Sequence, residues 1–473
     1  MASSAPTVMK AVVFSSSNVV NTVTDIPRPA VRPNSRDMLV RVCFAGLCGS
    51  DIHPYTGREP GLKPRTVMGH EVVGVVVECG EQLEGVRGQW LHRVVVAPFT
   101  ICCGMCWACQ RGNTARCAHS TLLGWKKERG EGEAAAERLE LDGAQGEYIV
   151  VPYGDSTLMR VPSPGLLPKS YPAPAQLGQP SSSFEPLRDW INYLFCGDIL
   201  ATAWHACEQA GLREPNTYAT PAASSTSNSF TSNKSDLVFP ETLLPVPEPT
   251  IAVVGCGPVG LLALLCALQI THDRGIASPL IVAFEPNQYR RKFAQEVLGL
   301  EGKVHFLDPA DLQSDALNNT PVHTAMSPPD PSIAPAFSSV IECVGATPAI
   351  RLAYDLVRPG GVISCIGVNT DPHLPLSQDD IYNKNLTYRV GRCDARRIGS
   401  MLIDRLAAAR QSEAQEQPVE QARYISSAWK IATHVESLDD AQRHYTRFAA
   451  RDEGYLKVIF HTDAADDVNP VLR

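Results

Sequence analysis

Residues 250–270, TIAVVGCGPVGLLALLCALQI, contain the pattern that decides the fold. A short β-branched run ends at a glycine-rich turn, and a longer run of leucine and alanine follows. This order predicts a strand, a tight turn and a helix. The stretch is almost long enough to span a membrane, but three glycines and a proline near its start favour the strand–turn–helix interpretation. From residue 250 onward, apolar strands alternate with amphipathic helices, which predicts an α/β unit with a parallel sheet covered on both faces.

The turn has the spacing Gly255-x-Gly257-x-x-Gly260. Gly255 permits the tight turn, Gly257 lets the backbone approach a pyrophosphate, and Gly260 lets helix and strand pack closely. The next strand ends at Glu285, where a carboxylate can accept hydrogen bonds from the adenosine ribose. We therefore predict a doubly wound Rossmann domain that binds NAD, with Arg290 also at the cofactor. NADP is disfavoured because the carboxylate repels its 2′-phosphate; the alternative is a glycine turn in an unrelated α/β sheet.

The remainder of the chain has a different pattern. Residues 9–151 consist of short β-branched runs separated by Gly, Pro and polar turns, which predicts a mostly antiparallel β-rich domain. After residue 392 come two helical patterns and a closing strand, YLKVIFH. Four segments interrupt these patterns and are interpreted as surface loops or insertions: 128–140, 161–190, 213–248 and 309–335.

Composition excludes several classes of function. The chain has 473 residues, of which 44% are hydrophobic and 19% charged, and its formal net charge is −8. These values are typical of a globular protein, and no basic run follows a nucleic-acid backbone or an anionic membrane surface. The N-terminus lacks secretory and transit patterns, so we predict a soluble cytoplasmic protein. In such a compartment, clustered cysteines among the total of 15 indicate metal binding rather than disulfides.

Four cysteines lie within a single loop: Cys103, Cys106, Cys109 and Cys117. Four thiolates can surround a tetrahedral Zn²⁺ and leave no open position, which predicts a structural zinc site. Cys102 is adjacent, so the register could shift by one residue, although Cys103 gives the more regular spacing. The alternative is a set of free or disulfide-linked thiols.

A second candidate metal site combines Cys48, in CysGlySerAspIleHis, with His70, in GlyHisGlu. Either residue alone is more often structural than functional. Together they supply a thiolate and an imidazole on neighbouring strands, and a catalytic zinc needs one further ligand and an open position. We choose Asp198 as the third ligand, with Cys196 as its competitor.

These motifs resemble the zinc-dependent medium-chain alcohol dehydrogenases, and more specifically a branch similar to glutathione-independent formaldehyde dehydrogenases. The matching strings are GLCGSDIHPYTG, VMGHEVVG, CGMCWACQRGNTARC, LDGAQGEYIVVP, GDILATAWH, VVGCGPVGL, ECVGATPAI, RPGGVISCIGV, NKNLTYRVGR and LKVIF. The chain departs from the family at residues 87–95, RGQWLHRVV, where a Gly-Asp turn is usual.

The resemblance implies a set of roles for individual residues. Catalytic zinc would be held by Cys48, His70 and Asp198, with Glu71 as an occasional ligand. Thr202 would lie near the nicotinamide. Ser50 and His53 would form a proton relay, although each alone is more often a turn hydroxyl or a surface histidine.

The resemblance also implies the domain arrangement. A GroES-like catalytic domain would comprise residues 1–197 and 393–473, and the Rossmann domain residues 198–392, including the insertion at 213–248. We expect two zinc ions per chain, one catalytic and one structural, and a homo-oligomer, either a dimer or a tetramer. The expected reaction is reversible oxidation of a small-molecule primary or secondary alcohol to an aldehyde or ketone. The alternatives are a polyol dehydrogenase and a non-catalytic, zinc-stabilised NAD-binding protein.

Overall fold

A computed structural model describes residues 7–126, 140–171 without 163, 169 and 170, 182–212, 249–313 without 278, and 337–472 without 370 and 372. The predicted insertion at 213–248, nearly all of the one at 128–140, and most of the one at 309–335 lie outside these residues. Among the described residues, no helix is both long and apolar enough to cross a lipid bilayer.

The first part of the chain forms antiparallel strands, because its β-branched runs alternate with turn residues. The strands are β1 (Val8–Ser16), β2 (Val19–Pro27), β3 (Met38–Leu47), β4 (Glu71–Cys79), β5 (Val94–Ala97), β6 (Tyr148–Val151) and β7 (Met159–Arg160). Strand β3, MLVRVCFAGL, is buried along its whole length. It pairs with both β4 and β6, so it forms the centre of this unit.

The second unit is a six-stranded sheet in which every described pair is parallel. Its strands are β8 (Thr250–Val254), β9 (Leu280–Phe284), β10 (His305–Leu307), β11 (Phe337–Glu342), β12 (Val357–Cys365) and β13 (Thr387–Val390). Their order in the sheet is β10-β9-β8-β11-β12-β13. This is the Rossmann order, in which the chain reverses direction across the sheet between β8 and β11.

The chain then returns to the antiparallel unit. Strands β14 (His434–Ser437) and β15 (Val458–His461) pair with each other, and β15 pairs antiparallel with β3. The resulting sheet order is β14-β15-β3-β4-β5-β7. The predicted fold class, a β-rich GroES-like unit with a parallel Rossmann sheet, is confirmed, while the residue boundaries between the two units remain a prediction.

The α-helices complete both units. They are α1 (Ile52–Tyr55), α2 (Trp107–Gln110), α3 (Gly154–Thr157), α4 (Arg188–Cys196), α5 (Ile199–Gln209), α6 (Pro258–Asp273), α7 (Gln288–Lys292), α8 (Thr347–Leu356), α9 (Gln378–Asn383), α10 (Ala395–Ala414), α11 (Ala441–Ala449) and α12 (Ala465–Leu472). Helix α4 packs on β3, β4 and β5, whereas α5 packs on α6 and β12. The junction of α4 and α5 therefore lies between the two units.

Residues 87–95 lack the Gly-Asp turn that is usual in the family, yet they form a turn that leads into β5. Residues Glu81–Gln89 form 3₁₀ turns, and His92 adopts a left-handed conformation with φ of 64° where glycine would be usual. The N–H of His92 donates to the carbonyl of Val76 at 2.8 Å. Strand β5 then begins at Val94, so the missing Gly-Asp turn does not disturb the sheet.

Candidate active site

A cleft of about 1920 Å³ separates the two units. Its walls include the residues after β3, the junction of α4 and α5, and the loops that follow β8, β11 and β12. These loops lie at the carboxyl ends of the parallel strands, next to the reversal of strand order, which is where α/β sheets bind dinucleotides. The cleft thus brings a candidate cofactor site and a candidate metal site together.

Cys48, His70, Glu71 and Asp198 form a compact cluster at this cleft. Each offers one ligand atom, and these four atoms lie within 4.8 Å of one another. Cys48 follows β3, Glu71 begins β4, and Asp198 precedes α5, so three separate elements converge. His70 Nε2 lies 3.1 Å from Asp198 Oδ2. A thiolate, an imidazole and carboxylates are the donors that Zn²⁺ prefers.

Asp51 orients this cluster, and the sequence analysis did not identify it. Its Oδ1 lies 3.0 Å from His70 Nδ1, and its Oδ2 accepts the N–H of Cys48 at 2.9 Å. A carboxylate on Nδ1 leaves Nε2 directed at a metal, as in many metal sites. Burial opposes protonation of His70, but the charge of Asp51 and the hydrogen bond to Asp198 outweigh it and raise the pKa of His70. The anionic donors thus favour a cation here. The sequence feature that could have identified Asp51 is the CGSDIH string, which contains it.

Lys457 is the second residue that the sequence analysis missed. Its Nζ lies 2.6 Å from Glu71 Oε1 and also donates to the carbonyl of Leu47 at 3.0 Å. Both side chains of the pair are fully buried. Burial raises the pKa of Glu71 to about 7, although Lys457 opposes the shift. Among the described residues, Glu71 Oε2 has no hydrogen-bond partner, and an unpaired buried oxygen beside three further donors fits a metal ligand. The sequence feature that could have identified Lys457 is the LKVIF string, which contains it.

Cys196, the competitor of Asp198, lies away from the cluster. Its thiol donates to the carbonyl of Asn192 at 3.3 Å within α4, and its side chain is fully buried in the apolar core. Burial raises the pKa of this thiol above its usual range. Asp198 is therefore the residue of the two that the fold brings to His70.

The residues of the expected proton relay also lie at the cleft. Ser50 Oγ is 3.3 Å from both Cys48 Sγ and His70 Nε2. Thr202 Oγ1 donates to Asp198 Oδ1 at 3.3 Å. Burial lowers the pKa of His53, so its ring is neutral near pH 7 and able to accept a proton. Ser50, Thr202 and His53 all line the cleft.

The glycine turn after β8 has the close contacts that the motif predicts. Gly255 has φ of 89°, and a Cβ there would lie 2.4 Å from Val344 Cγ2. A Cβ on Gly260 would lie 1.8 Å from the carbonyl oxygen of Gly255, so Gly260 lets the helix approach the turn itself. Gly257 directly precedes α6.

The side chain of Glu285 accepts a hydrogen bond from the backbone of this turn. Its Oε2 accepts the N–H of Cys256 at 2.6 Å, and its Oε1 accepts the N–H of Asn287 at 2.9 Å. The guanidinium of Arg290 lies 3.8 Å from the same carboxylate. Glu285 and Arg290 both line the cleft. The carboxylate therefore holds the turn from a position on the wall of the cleft.

The second cysteine cluster lies in the loop that contains α2. One Sγ atom from each of Cys103, Cys106, Cys109 and Cys117 lies within 4.8 Å of the others. Backbone N–H groups point at these sulfurs: that of Cys103 at Cys117 Sγ at 3.2 Å, and that of Ala118 at Cys106 Sγ at 3.5 Å. The hydrogen bond from Ala118 is the main reason that the pKa of Cys106 is lowered to about 6. Burial raises the pKa of Cys109 and Cys117, so Cys106 is the member of the cluster whose thiolate form is stabilised before any metal binds.

The fifth thiol of this loop is engaged elsewhere. Cys102 Sγ donates to the carbonyl of Ser156 at 3.4 Å, and burial raises the pKa of this thiol to about 11. The structure therefore assembles the four-cysteine cluster in the register that begins at Cys103.

Comparison with known proteins agrees with the fold. Residues 34–163 match the alcohol dehydrogenase GroES-like domain family. The chain is 31% identical over 401 residues to zinc-type alcohol dehydrogenase B of Aspergillus flavus, covering 84% of this chain and 72% of the relative. It is also 31% identical over 390 residues to the medium chain reductase/dehydrogenase ucsI of Acremonium sp, covering 80% of this chain and 99% of the relative.

A solved structure supports the same assignment. Alcohol dehydrogenase TADH from Thermus sp. ATN1 superposes with a TM-score of 0.65 at 27% identity, over 96% of this chain and 99% of that one. The similarity thus extends over both units rather than over the GroES-like part alone. The chain belongs to the zinc-type medium-chain alcohol dehydrogenase family of oxidoreductases.

Proposed function

We propose that this protein is a zinc-dependent alcohol dehydrogenase that transfers hydride reversibly between a primary or secondary alcohol and NAD. The observation that carries the proposal is the cluster of Cys48, His70 and Asp198 with the Ser50 hydroxyl beside it. This cluster shares one cleft with the glycine turn of the Rossmann sheet. A non-catalytic NAD-binding protein has no use for a metal site at that position.

Bound zinc and bound NAD would supply the Lewis acid and the hydride acceptor of the reaction. Zinc held by Cys48, His70 and Asp198, with Glu71 as an occasional ligand, would act as a Lewis acid that lowers the pKa of an alcohol. NAD held by the glycine turn, Glu285 and Arg290, with Thr202 near its nicotinamide, would accept or return the hydride. The Cys103 cluster would hold a second, structural zinc.

Side chains of the protein would transfer the proton of the substrate hydroxyl to solvent. The Ser50 hydroxyl lies beside the ligand cluster and can accept the proton that the substrate hydroxyl loses. His53 also lines the cleft, and its neutral ring can take up a proton and release it to solvent. The carboxylate of Asp51 beside Nδ1 would favour the His70 tautomer that presents Nε2 to the metal.

Asp198 supports a finer assignment within the family. We propose the branch similar to glutathione-independent formaldehyde dehydrogenases, in which the third ligand is an aspartate. NAD rather than NADP, a homo-oligomer and a cytoplasmic location remain part of the proposal. The preference for NAD depends on Glu285, whose carboxylate is buried at the cleft.

The test is zinc content per chain in the wild type and in Asp198→Ala, Cys106→Ala and Cys196→Ala. We expect two ions in the wild type, one in each of the first two variants, and two in Cys196→Ala, which serves as the control because its thiol lies in the core. NAD-dependent oxidation of alcohols should be lost in Asp198→Ala and retained in Cys196→Ala. A wild type with one zinc ion that Asp198→Ala leaves in place would refute the catalytic site.

A further inference from the structure

Glu342 is a buried acid for which the proposed mechanism has no role. It ends β11, the strand beside β8 at the point where the strand order reverses. Its side chain is fully buried. Burying a carboxylate is costly unless its oxygens are well hydrogen bonded, so its contacts indicate what it does.

The carboxylate of Glu342 holds a turn of the cleft wall. Its Oε1 accepts the N–H of Val344 at 2.7 Å and the N–H of Gly345 at 2.9 Å. Its Oε2 accepts the thiol of Cys365, at the end of β12, at 3.2 Å. All three donors are neutral. Burial raises the pKa of Glu342, and the two backbone N–H groups oppose that shift by stabilising the charged form.

The backbone of Glu342 holds the neighbouring loop. Its carbonyl accepts the N–H of Ile366 at 2.9 Å and the N–H of Gly367 at 3.2 Å. A single residue therefore connects the loop after β11 to the loop after β12. Val344, Gly345, Ile366 and Gly367 line the cleft.

These two loops pack closely against each other at their glycines. A Cβ on Gly345, whose φ is 71°, would lie 2.5 Å from the carbonyl oxygen of Val368, and a Cβ on Gly367 would lie 2.1 Å from the nitrogen of Gly345. A Cβ on Gly255, in the turn after β8, would lie 2.4 Å from Val344 Cγ2. The loops after β11 and β12 thus pack against each other, and a movement of residues 343–345 would displace the loop after β12.

We propose that Glu342 is a positioning residue that fixes residues 343–345 as the wall of the cleft against the nicotinamide half of the dinucleotide. Glu285 holds the turn after β8 in a comparable way, from β9, the strand on the other side of β8. The proposal rests on the proposed function, because it requires that NAD binds in this cleft. Glu285 marks the expected ribose position on the β9 side of β8, so the nicotinamide half would lie on the β11 side. Loss of Glu342 should therefore weaken binding of the nicotinamide half more than binding of the other half.

The experiment measures the Kd of NADH and of ADP-ribose, which lacks the nicotinamide, by fluorescence and calorimetry. Glu342→Met removes the acceptor and leaves the N–H groups of Val344 and Gly345 unpaired, so we expect the Kd of NADH to rise about tenfold. The Kd of ADP-ribose should change less than twofold. Glu342→Gln keeps one oxygen that can accept both N–H groups, so its Kd values should return to near those of the wild type.

Glu436→Met is the control, because Glu436 lies on β14, away from the parallel sheet. It should change neither Kd. An unchanged Kd of NADH in Glu342→Met would overturn the inference, and so would an equal rise for NADH and ADP-ribose, which would indicate general damage to the sheet. Failure of the wild type to bind NADH would instead refute the proposed function itself.

Discussion

At the base of the cleft, Glu71 and Lys457 form a pair of charges that water does not reach. Removing one member of a buried ion pair costs about 3 kcal/mol or more, because the other charge is left without compensation. We therefore expect Lys457→Met to lower the free energy of unfolding by about 3 kcal/mol, measured by urea titration. The double variant Glu71→Gln with Lys457→Met should recover much of that loss. Equal stability of the single variant and the wild type would contradict this account.

At the same scale, the sequence predicted the candidate metal ligands better than the residues that contact and orient them. Cys48 and His70 follow from ligand type and from their places at strand ends, and Asp198 follows from the resemblance. Asp51 and Lys457 act through contacts with residues that a sequence pattern does not bring together. Lys457 in particular reaches Glu71 only because β15 pairs with β3.

Among the elements, the strand–turn–helix of β8 and α6 depends on Gly260. A Cβ there would meet a backbone oxygen, which cannot move as a side chain can. We expect Gly260→Ala to raise the Kd of NADH more than tenfold and to lower the melting temperature.

The control for this substitution is Gly85→Ala. A Cβ on Gly85 would have no heavy atom within 4 Å, so neither quantity should change. If both alanine variants bind NADH equally well, the packing argument for Gly260 is wrong.

Strand β14 and helix α11 contain two histidines, His434 and His444, that make stability depend on pH. Burial lowers the pKa of both imidazoles to about 4, and Arg443 and Arg447 add to the shift. An unfolded histidine titrates near pH 6.5, so between about pH 6.5 and 4 the unfolded state binds more protons than the folded state. The free energy of unfolding should therefore fall as the pH is lowered through that range.

This pH dependence is measurable by urea titration at several pH values. His434→Phe keeps an aromatic ring against Tyr455, on which His434 stacks with ring centroids 4.0 Å apart. The variant should lose less stability than the wild type between pH 6.5 and 5. Parallel curves for the two proteins would show that His434 is not responsible.

Most elements were predictable, because period and turn chemistry are local properties. The prediction of a surface segment at 161–190 is wrong, since Phe184, Leu187 and Trp190 are buried and α4 begins at Arg188. The parallel sheet and the antiparallel unit follow the two patterns of the sequence. The turn at His92 could not be predicted, since a histidine in the left-handed conformation has no sequence signal comparable to glycine. The pattern of residues 438–452 predicts one helix, whereas the structure has a 3₁₀ turn, Leu438–Asp440, before α11, which ends at Ala449.

Across the whole molecule, the four-cysteine loop attaches to α10. The N–H of Ala115 donates to Asp394 Oδ1 at 3.0 Å, and a Cβ on Gly112 would lie 3.0 Å from Arg397. A structural metal contributes directly to stability, so we expect Cys106→Ala to lower the melting temperature by roughly 5 °C. Differential scanning calorimetry would measure the melting temperature of Cys106→Ala, and Cys102→Ala would be measured in the same experiment for comparison. A larger loss in Cys102→Ala would place the metal in the other register.

The return of the chain to its first sheet has a consequence for how the protein is made. Glu71 is synthesised early, but the lysine that neutralises it arrives only with β15, 386 residues later. During translation the first sheet therefore contains a buried acid without its counter-charge, and β3 has an open edge where β15 will pair. The candidate active site is thus completed only when β15 is made, so a chain terminated before β15 would carry every proposed ligand yet lack Lys457 and the strand that pairs with β3.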